Sequence, residues 1–529
     1  MLPQNPSTSA EIPHNVVFKK GIDWKLIGIA VSVAAIVFIA LYNLAAYPTT
    51  WFDEGSHLHV PKTLVRFGVY ADYSSDGFRY FGPTVGVGPT VMLPIAGMFR
   101  LFGIDLWQAR LVVAIYLLAT IGLLYLLARQ LGGRRLALVA VVLLISSRGV
   151  ALVEYGRQVL GEVPGLFFVV AAFVLWFSAW ETASRLRLSL VGVLFGLAMV
   201  TKNQYLLILA PALLLSWIEN IVYYRSAPQR VFLIPGIVAA GCYAAWQIYM
   251  IMYLGPATAS ENFAMLRSAT AGAALVFSPD LMRRSMEELL SIKVYLGALI
   301  PILIYGFFVS IPRHRAGQQW GILFTIIAVN FLWYVLASIS WLRYAFLGLV
   351  LTGLFTARFF SDITDNFTLD RDALWAAIRR GRTFALAETV QWMAMVWLVL
   401  MIAAPLTKTV QQIVRPDFNA PLAMATYLND HVSHDAIIET WEPELGFLTD
   451  HNYHFPPPGL LNQAVGYVWL GASSPRNDYD YVETQQPAYV LVGAFSGWVD
   501  LYSPVMLAEH YDLVVEIGEY RLYVRKHSS

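Results

Sequence analysis

A chain of 529 residues is long enough for three or four soluble domains of about 150 residues each, yet 57% of it is hydrophobic and only 13% charged, about half the charged share of a globular protein. That composition excludes a disordered chain and predicts a polytopic membrane protein. A net charge of +1 leaves no bulk basic field and excludes nucleic acid as a partner, and a lone cysteine, Cys242, excludes an internal disulfide.

A bilayer core about 30 Å thick needs about 20 apolar residues per helix. Eleven runs meet this need, near 26–47, 107–128, 135–152, 162–180, 187–201, 205–223, 232–253, 294–311, 320–338, 342–360 and 388–406. The first follows Lys19, Lys20 and Lys25; it is longer than a signal-peptide core and lacks a small-residue cleavage site, so it is expected to be a retained anchor. An odd number of spans puts the two ends on opposite sides. With residues 1–25 as a cytoplasmic tail, the cytoplasmic connections hold 17 Lys and Arg, against 12 spread over longer loops on the other side, so the positive-inside rule places the C-terminus outside.

Within this frame, 26–410 form the transmembrane domain and 48–106 a long first external loop. Residues 411–529 change character, with 5 Lys+Arg against 15 Asp+Glu. Pro421–Val432 reads as a helix, and Ala436–Trp441, Tyr489–Val492, Leu513–Ile517 and Arg521–Arg525 read as strands. The expected fold is mainly α, with about eleven transmembrane helices and a small extracytoplasmic α/β domain. The sequence has no long-period repeat, no phosphate-binding Gly-Lys-Ser/Thr loop and no His-Glu-x-x-His helix.

The chemistry is expected in the external connections. The first loop opens with Trp51-Phe52-Asp53-Glu54-Gly55, and adjacent carboxylates beside a span are held near a low dielectric that raises their proton affinity, as a general base requires. The same pair also suits the solvated first turn of a helix running from Glu54 to Arg66. Tyr155-Gly156-Arg157 leads to Glu162 at the start of the fourth span, where a helix-capping role is the alternative. Lys202, in Thr201-Lys202-Asn203-Gln204, and Arg343, in Trp341-Leu342-Arg343-Tyr344, stand at span ends where cations also snorkel. Asp53, Glu54, Arg157, Glu162, Lys202 and Arg343 come from four separate loops on one side. Carboxylates and cations so gathered are what displacement of a phosphate leaving group requires: the carboxylate takes the acceptor's proton and the cations hold the phosphate.

The early Asp53-Glu54 pair, the acidic start of the fourth span, the Thr201-Lys202 turn, the Arg343-Tyr344 pair and the acidic tail together resemble the GT-C fold glycosyltransferases. The resemblance is greatest to the branch of protein O-mannosyltransferases and lipid A aminoarabinose transferases, and it covers roughly 20–410 in order. It implies that Asp53 is the base, with Glu54 beside it, and that Glu162 stands where the family has its second acid, usually Asp. It also implies that Lys202, Arg343 and Arg157 face the donor phosphate, with Tyr344 and His57 as further donor or acceptor contacts. A first loop lying on the membrane is implied too, for which 81–103 is suited.

Asp53 and His57 share a helical face, but two ligands do not make a zinc site, and no metal site is assigned. A divalent cation, Mg or Mn, between Asp53 and Glu162 is a second option. His431, His434, His451 and His454 are expected at the surface, and the 254–291 connection is either a lid or a plain loop.

The expected activity is transfer of a sugar, with inversion, from a polyprenyl-phosphate donor to a protein, lipid or glycan acceptor at the outer face of the cell membrane. The rivals are a lipid-linked sugar transporter or flippase and, among enzymes, an oligosaccharyltransferase that moves a whole glycan.

Overall fold

A computed structural model describes residues 24–80, 86–368 and 386–526. The N-terminal lysines Lys19 and Lys20, the basic run at Arg371, Arg379, Arg380 and Arg382, and the 81–85 part of the predicted interfacial segment lie outside the described residues. Among those described, seven helices are long and apolar enough to cross a membrane, and the chain is a multi-pass membrane protein.

All eleven predicted runs fall on helices. The two figures differ because the second and third runs are two helices that follow each other directly within Leu106–Ser146, separated only by the non-helical residues Gly132 and Gly133, and count as one long stretch. In addition, the helices at Ile27–Leu41, Arg185–Thr201 and Leu299–Ser310 are shorter than a full crossing. The core of the bundle is aromatic as well as aliphatic. Trp176 is fully buried among Phe173, Phe195 and Phe232, and its indole donates to the Val231 carbonyl at 2.9 Å. Truncating such a side chain costs about 3–5 kcal/mol.

The described residues of the first loop are built into regular elements. They form the helix Phe52–Phe67, an antiparallel hairpin of β1 (Asp72–Ser74) and β2 (Gly77–Arg79), and the helix Pro89–Phe102. The 254–291 connection likewise holds two helices, Pro256–Ala273 and Pro279–Leu289.

The C-terminal unit is a mixed sheet of β3 (Ile437–Thr440), β4 (Asn452–His454), β5 (Tyr489–Val492), β6 (Tyr511–Ile517) and β7 (Tyr520–Arg525), in the order β4-β3-β5-β7-β6. The first three are parallel and the last two antiparallel. The predicted helix is present as Ala420–His431, with Asn419 capping its first turn. Strand β4 was not expected, since three residues of sequence Asn-Tyr-His carry no apolar alternation. It brings His454 beside Glu439. His451 and His454 are buried, contrary to expectation: the His454 ring lies between Glu439 and Asp76 of the β1–β2 turn.

Two details dock this unit on the first loop. Gly55 passes so close to the short helix Pro443–Leu448 that a Cβ there would lie 2.2 Å from the Glu444 nitrogen. Two turns further, buried Lys62 donates to the carbonyls of Gly446 (2.8 Å), Phe447 (3.1 Å) and Thr449 (2.7 Å). A cation on the last carbonyls of a helix satisfies groups that have no partner within it and matches its dipole.

Candidate active site

The helix Phe52–Phe67 starts at extended Trp51, so the two carboxylates fall in its first turn. Successive residues on a helix are turned by about 100°, and here that separates their fates. Glu54 is fully buried and turns inward to Arg110, which meets it bidentately through Nε (2.8 Å) and Nη2 (2.5 Å), and the Val159 amide donates to the same carboxylate at 2.9 Å. Arg110 also donates to the Leu44 carbonyl at 2.9 Å. The expected supporting role of Glu54 at the reaction centre is therefore revised: it anchors the loop to the second run.

Asp53 faces the other way, into a cavity of about 310 Å³ between the bundle and the C-terminal unit. His57, Lys202, Arg343 and Tyr344 line it as well. Arg343 Nη2 donates to Asp53 Oδ2 at 2.5 Å, and its Nε lies 3.3 Å from Glu162 Oε1. Lys202 pairs with that same Glu162 oxygen. The four side chains form an alternating chain, Asp53, Arg343, Glu162, Lys202, whose formal charges cancel. It is incompletely satisfied: Arg343 Nε and Nη1 and Glu162 Oε2 have no hydrogen-bond partner, the Nε–Glu162 approach being an ion pair without hydrogen-bond geometry.

Local structure places each member. Glu162 is the first residue of the helix Glu162–Ala179. Lys202 is an extended residue between the helices Arg185–Thr201 and Asn203–Glu219, a break that aims its side chain at the cavity. Arg343 lies in a short 3-10 turn before Phe346–Ile363, with its guanidinium over the Trp341 ring at 4.1 Å and near the Trp51 ring at 5.4 Å. The loop carrying Asp53 is held close to Lys202 through Gly88, where a Cβ would stand 1.8 Å from the Val200 carbonyl oxygen.

Burial works to raise the proton affinity of Asp53, but Arg343, with His57 and Lys202, outweighs it, so the carboxyl sits below its usual range. The expected rise is thus reversed, because the sequence did not show that Arg343 lies against it. Burial lowers His57, Asp53 opposing, so the ring is held toward its neutral form; its Nδ1 lies 2.8 Å from the Val159 carbonyl, which makes Nδ1 the protonated nitrogen and leaves Nε2 as an acceptor. Burial also lowers Lys202, Glu162 opposing.

Arg157 is fully buried away from this chain of charges. Its guanidinium donates to the carbonyls of Ile39 (2.5 Å), Tyr42 (2.7 Å) and Tyr47 (3.2 Å), which ties down the turn after the first helix and removes it from the expected phosphate contacts. The sequence reading missed Arg110, although a single arginine inside an apolar run is itself a signal. Among the described residues no group of three or more His, Cys, Asp or Glu is placed to hold a metal. Arg343 takes Asp53 Oδ2 and lies against Glu162 Oε1, the oxygen that Lys202 also holds.

The family model of dolichyl-phosphate-mannose-protein mannosyltransferases matches residues 87–246, a stretch that contains Glu162 and Lys202. No curated protein sequence matches the chain. Among solved structures, ArnT from Cupriavidus metallidurans bound to undecaprenyl phosphate aligns with a TM-score of 0.58 at 15% identity, over 96% of this chain and 98% of that one. The archaeal oligosaccharyltransferase AglB from Archaeoglobus fulgidus, in complex with an inhibitory peptide and a dolichol-phosphate, aligns with a TM-score of 0.56 at 13% identity, over 95% of this chain and 74% of that one. Both have the GT-C fold of membrane glycosyltransferases, and so does this chain.

Proposed function

We propose that this chain is an integral-membrane glycosyltransferase that takes a sugar from a polyprenyl-phosphate donor and transfers it with inversion to an acceptor at the outer face of the membrane. The observation that carries the reading is the alternating chain of Asp53, Arg343, Glu162 and Lys202 at the cavity, with a partly unpartnered guanidinium beside a carboxylate. A phosphodiester entering there competes with Asp53 for Arg343, because phosphate meets a guanidinium fork with paired charge-assisted bonds. As Arg343 turns to the donor, Asp53 loses the cation that depresses its proton affinity and becomes a stronger base.

In the reaction, Asp53 takes the proton of the acceptor hydroxyl while the acceptor oxygen bonds to the anomeric carbon. The carbon–oxygen bond to phosphate breaks, and its electron pair passes to the phosphate, where Arg343 and Lys202 stabilise the added charge. Glu162 holds the two cations in position, and attack from the face opposite the leaving phosphate inverts the centre. Undecaprenyl phosphate in ArnT and dolichol-phosphate in AglB are the precedent for such a carrier. The cavity of about 310 Å³ lies within the range of ligand pockets. Transport needs ionisable groups along a path through the bundle, whereas these four gather at one end of it.

The test is release of labelled sugar from a polyprenyl-phosphate donor pool by purified protein in lipid, wild type beside Asp53→Asn, with source membranes as acceptor. Label moving to acceptor with wild type only supports the reading. Equal transfer by both discards Asp53 as base, and movement of intact lipid-linked sugar between leaflets without cleavage replaces transfer with transport.

A further inference from the structure

The part of the cavity built by the C-terminal unit differs chemically from the charged part beside Asp53. An unbroken run of aromatic contacts crosses it: Trp341 to Trp469 with ring centres 6.1 Å apart, Trp469 to Trp498 at 5.0 Å, and Trp498 to Phe495 at 6.3 Å. All four rings line the cavity, and the run starts at the ring that carries Arg343. Trp498 keeps 49% of its surface exposed. A single exposed indole is ordinary, but a contiguous run of aromatic rings lining an open groove marks a binding surface.

Two polar residues of the first-loop hairpin line the same cavity. Asp72 and Arg79 face each other across β1 and β2, and Asp72 Oδ1 and Arg79 Nε have no hydrogen-bond partner. A planar carboxylate and a planar guanidinium are suited to paired hydrogen bonds, and a flat indole is suited to a flat apolar face. A pyranose offers both at once, a face of C–H bonds and a rim of vicinal hydroxyls. A polyprenyl chain offers the first without the second, and its place is the bilayer.

Resting on the transfer reading above, we propose that this wall is a carbohydrate subsite, and that the hydroxyl delivered to Asp53 belongs to a sugar ring stacked on the exposed face of Trp498, with Trp469 edge-on beside it at 79° and its hydroxyl rim held by Asp72 and Arg79. The acceptor is accordingly a glycan, not a peptide or a simple lipid.

The experiment is saturation-transfer NMR on the full chain in lipid nanodiscs, with cellotetraose, chitotetraose and mannotetraose as probes and a serine- and threonine-rich peptide as competitor. At millimolar concentration, wild type transfers saturation to the ring C–H protons of at least one tetrasaccharide. Trp498→Ala and Trp469→Ala weaken that binding about ten-fold, Trp498→Phe restores most of it by keeping a flat surface, and Asp72→Asn weakens it less. No transfer to any of the three, equal binding by wild type and the alanine variants, or the peptide as the sole probe affected by them overturns the proposal. Donor cleavage by wild type is followed in the same discs. Cleavage without glycan binding removes the subsite and leaves the transferase reading, and glycan binding without cleavage does the reverse.

Discussion

Asp53 and Glu54 are neighbours in sequence and each is paired with an arginine, yet the two pairs are built to opposite specifications. The Glu54–Arg110 pair is sealed: both residues are fully buried, the contact is bidentate, and backbone groups together with the Thr50 hydroxyl take up further bonds. The Asp53–Arg343 pair lies at a cavity, Asp53 keeps 22% of its side chain exposed, and part of the guanidinium has no partner. Completeness separates the roles. A pair with every bond made holds the fold in place, and a pair with bonds to spare can exchange its partner for a ligand.

The sharpest way to break this comparison is to neutralise each carboxylate in turn. Asp53→Asn is expected to lower sugar transfer by about 10²–10⁴-fold, the usual contribution of a positioned base, with little change in the melting temperature in detergent. Glu54→Gln is expected to destabilise the chain by about 3–5 kcal/mol, because it strands a buried arginine; replacing both members of the pair, Glu54→Gln with Arg110→Met, should recover part of that loss in the same melting assay. If Asp53→Asn unfolds the protein and Glu54→Gln does not, the assignment of roles is inverted.

Arg343→Lys keeps the charge but loses the planar fork. It should raise the donor KM and lower kcat/KM by about ten-fold or more, measured with labelled donor. Gly55→Ala acts through docking: the added methyl meets the Glu444 backbone, and overpacking of this kind costs about 1–3 kcal/mol, read as earlier proteolysis at the junction with the C-terminal unit. The smallest effect is in pH dependence. Asp53 has a folded value below its ordinary one, so its pairing stabilises the fold above the ordinary carboxylate value near about 3.9 and is lost as pH falls through the lowered one. The acid limb of kcat/KM, which reports the free enzyme, should therefore lie at lower pH than the acid limb of kcat, which reports the complex after Arg343 has turned to phosphate. Coincident limbs would show that the donor does not take Arg343 from Asp53.

The helical frame was legible in the sequence because apolar runs of span length have few alternative fates, and all eleven fall on helices. The helix beginning at the Trp51–Gly55 string and four of the five C-terminal strands were legible from periodicity. Direction was not. Whether Asp53 or Glu54 faces the cavity depends on where the helix starts and on Arg110, which stands 56 residues from Glu54. The same limit applies to Arg157, whose three carbonyl partners belong to the end of the first helix and the turn after it, and to β4, which exists because β3 lies beside it. Asp53, Glu162, Lys202 and Arg343 are brought together as the spacing of charges at span ends suggested, but the pairing that lowers Asp53 is tertiary.

Lys62 bears on how the molecule is made. Its carbonyl acceptors lie 384 residues or more further along the chain, so throughout synthesis of the bundle a buried-to-be ammonium group has nothing to cap. The cavity between the two regions closes only when the segment Pro443–Thr449 has been delivered to the same side of the membrane as the first loop. A chain threaded with the wrong sidedness or halted before that segment leaves Lys62 with no carbonyls to bind and Gly55 with no backbone against it. Assembly of the cavity therefore depends on contacts between the first loop and a segment made almost 400 residues later.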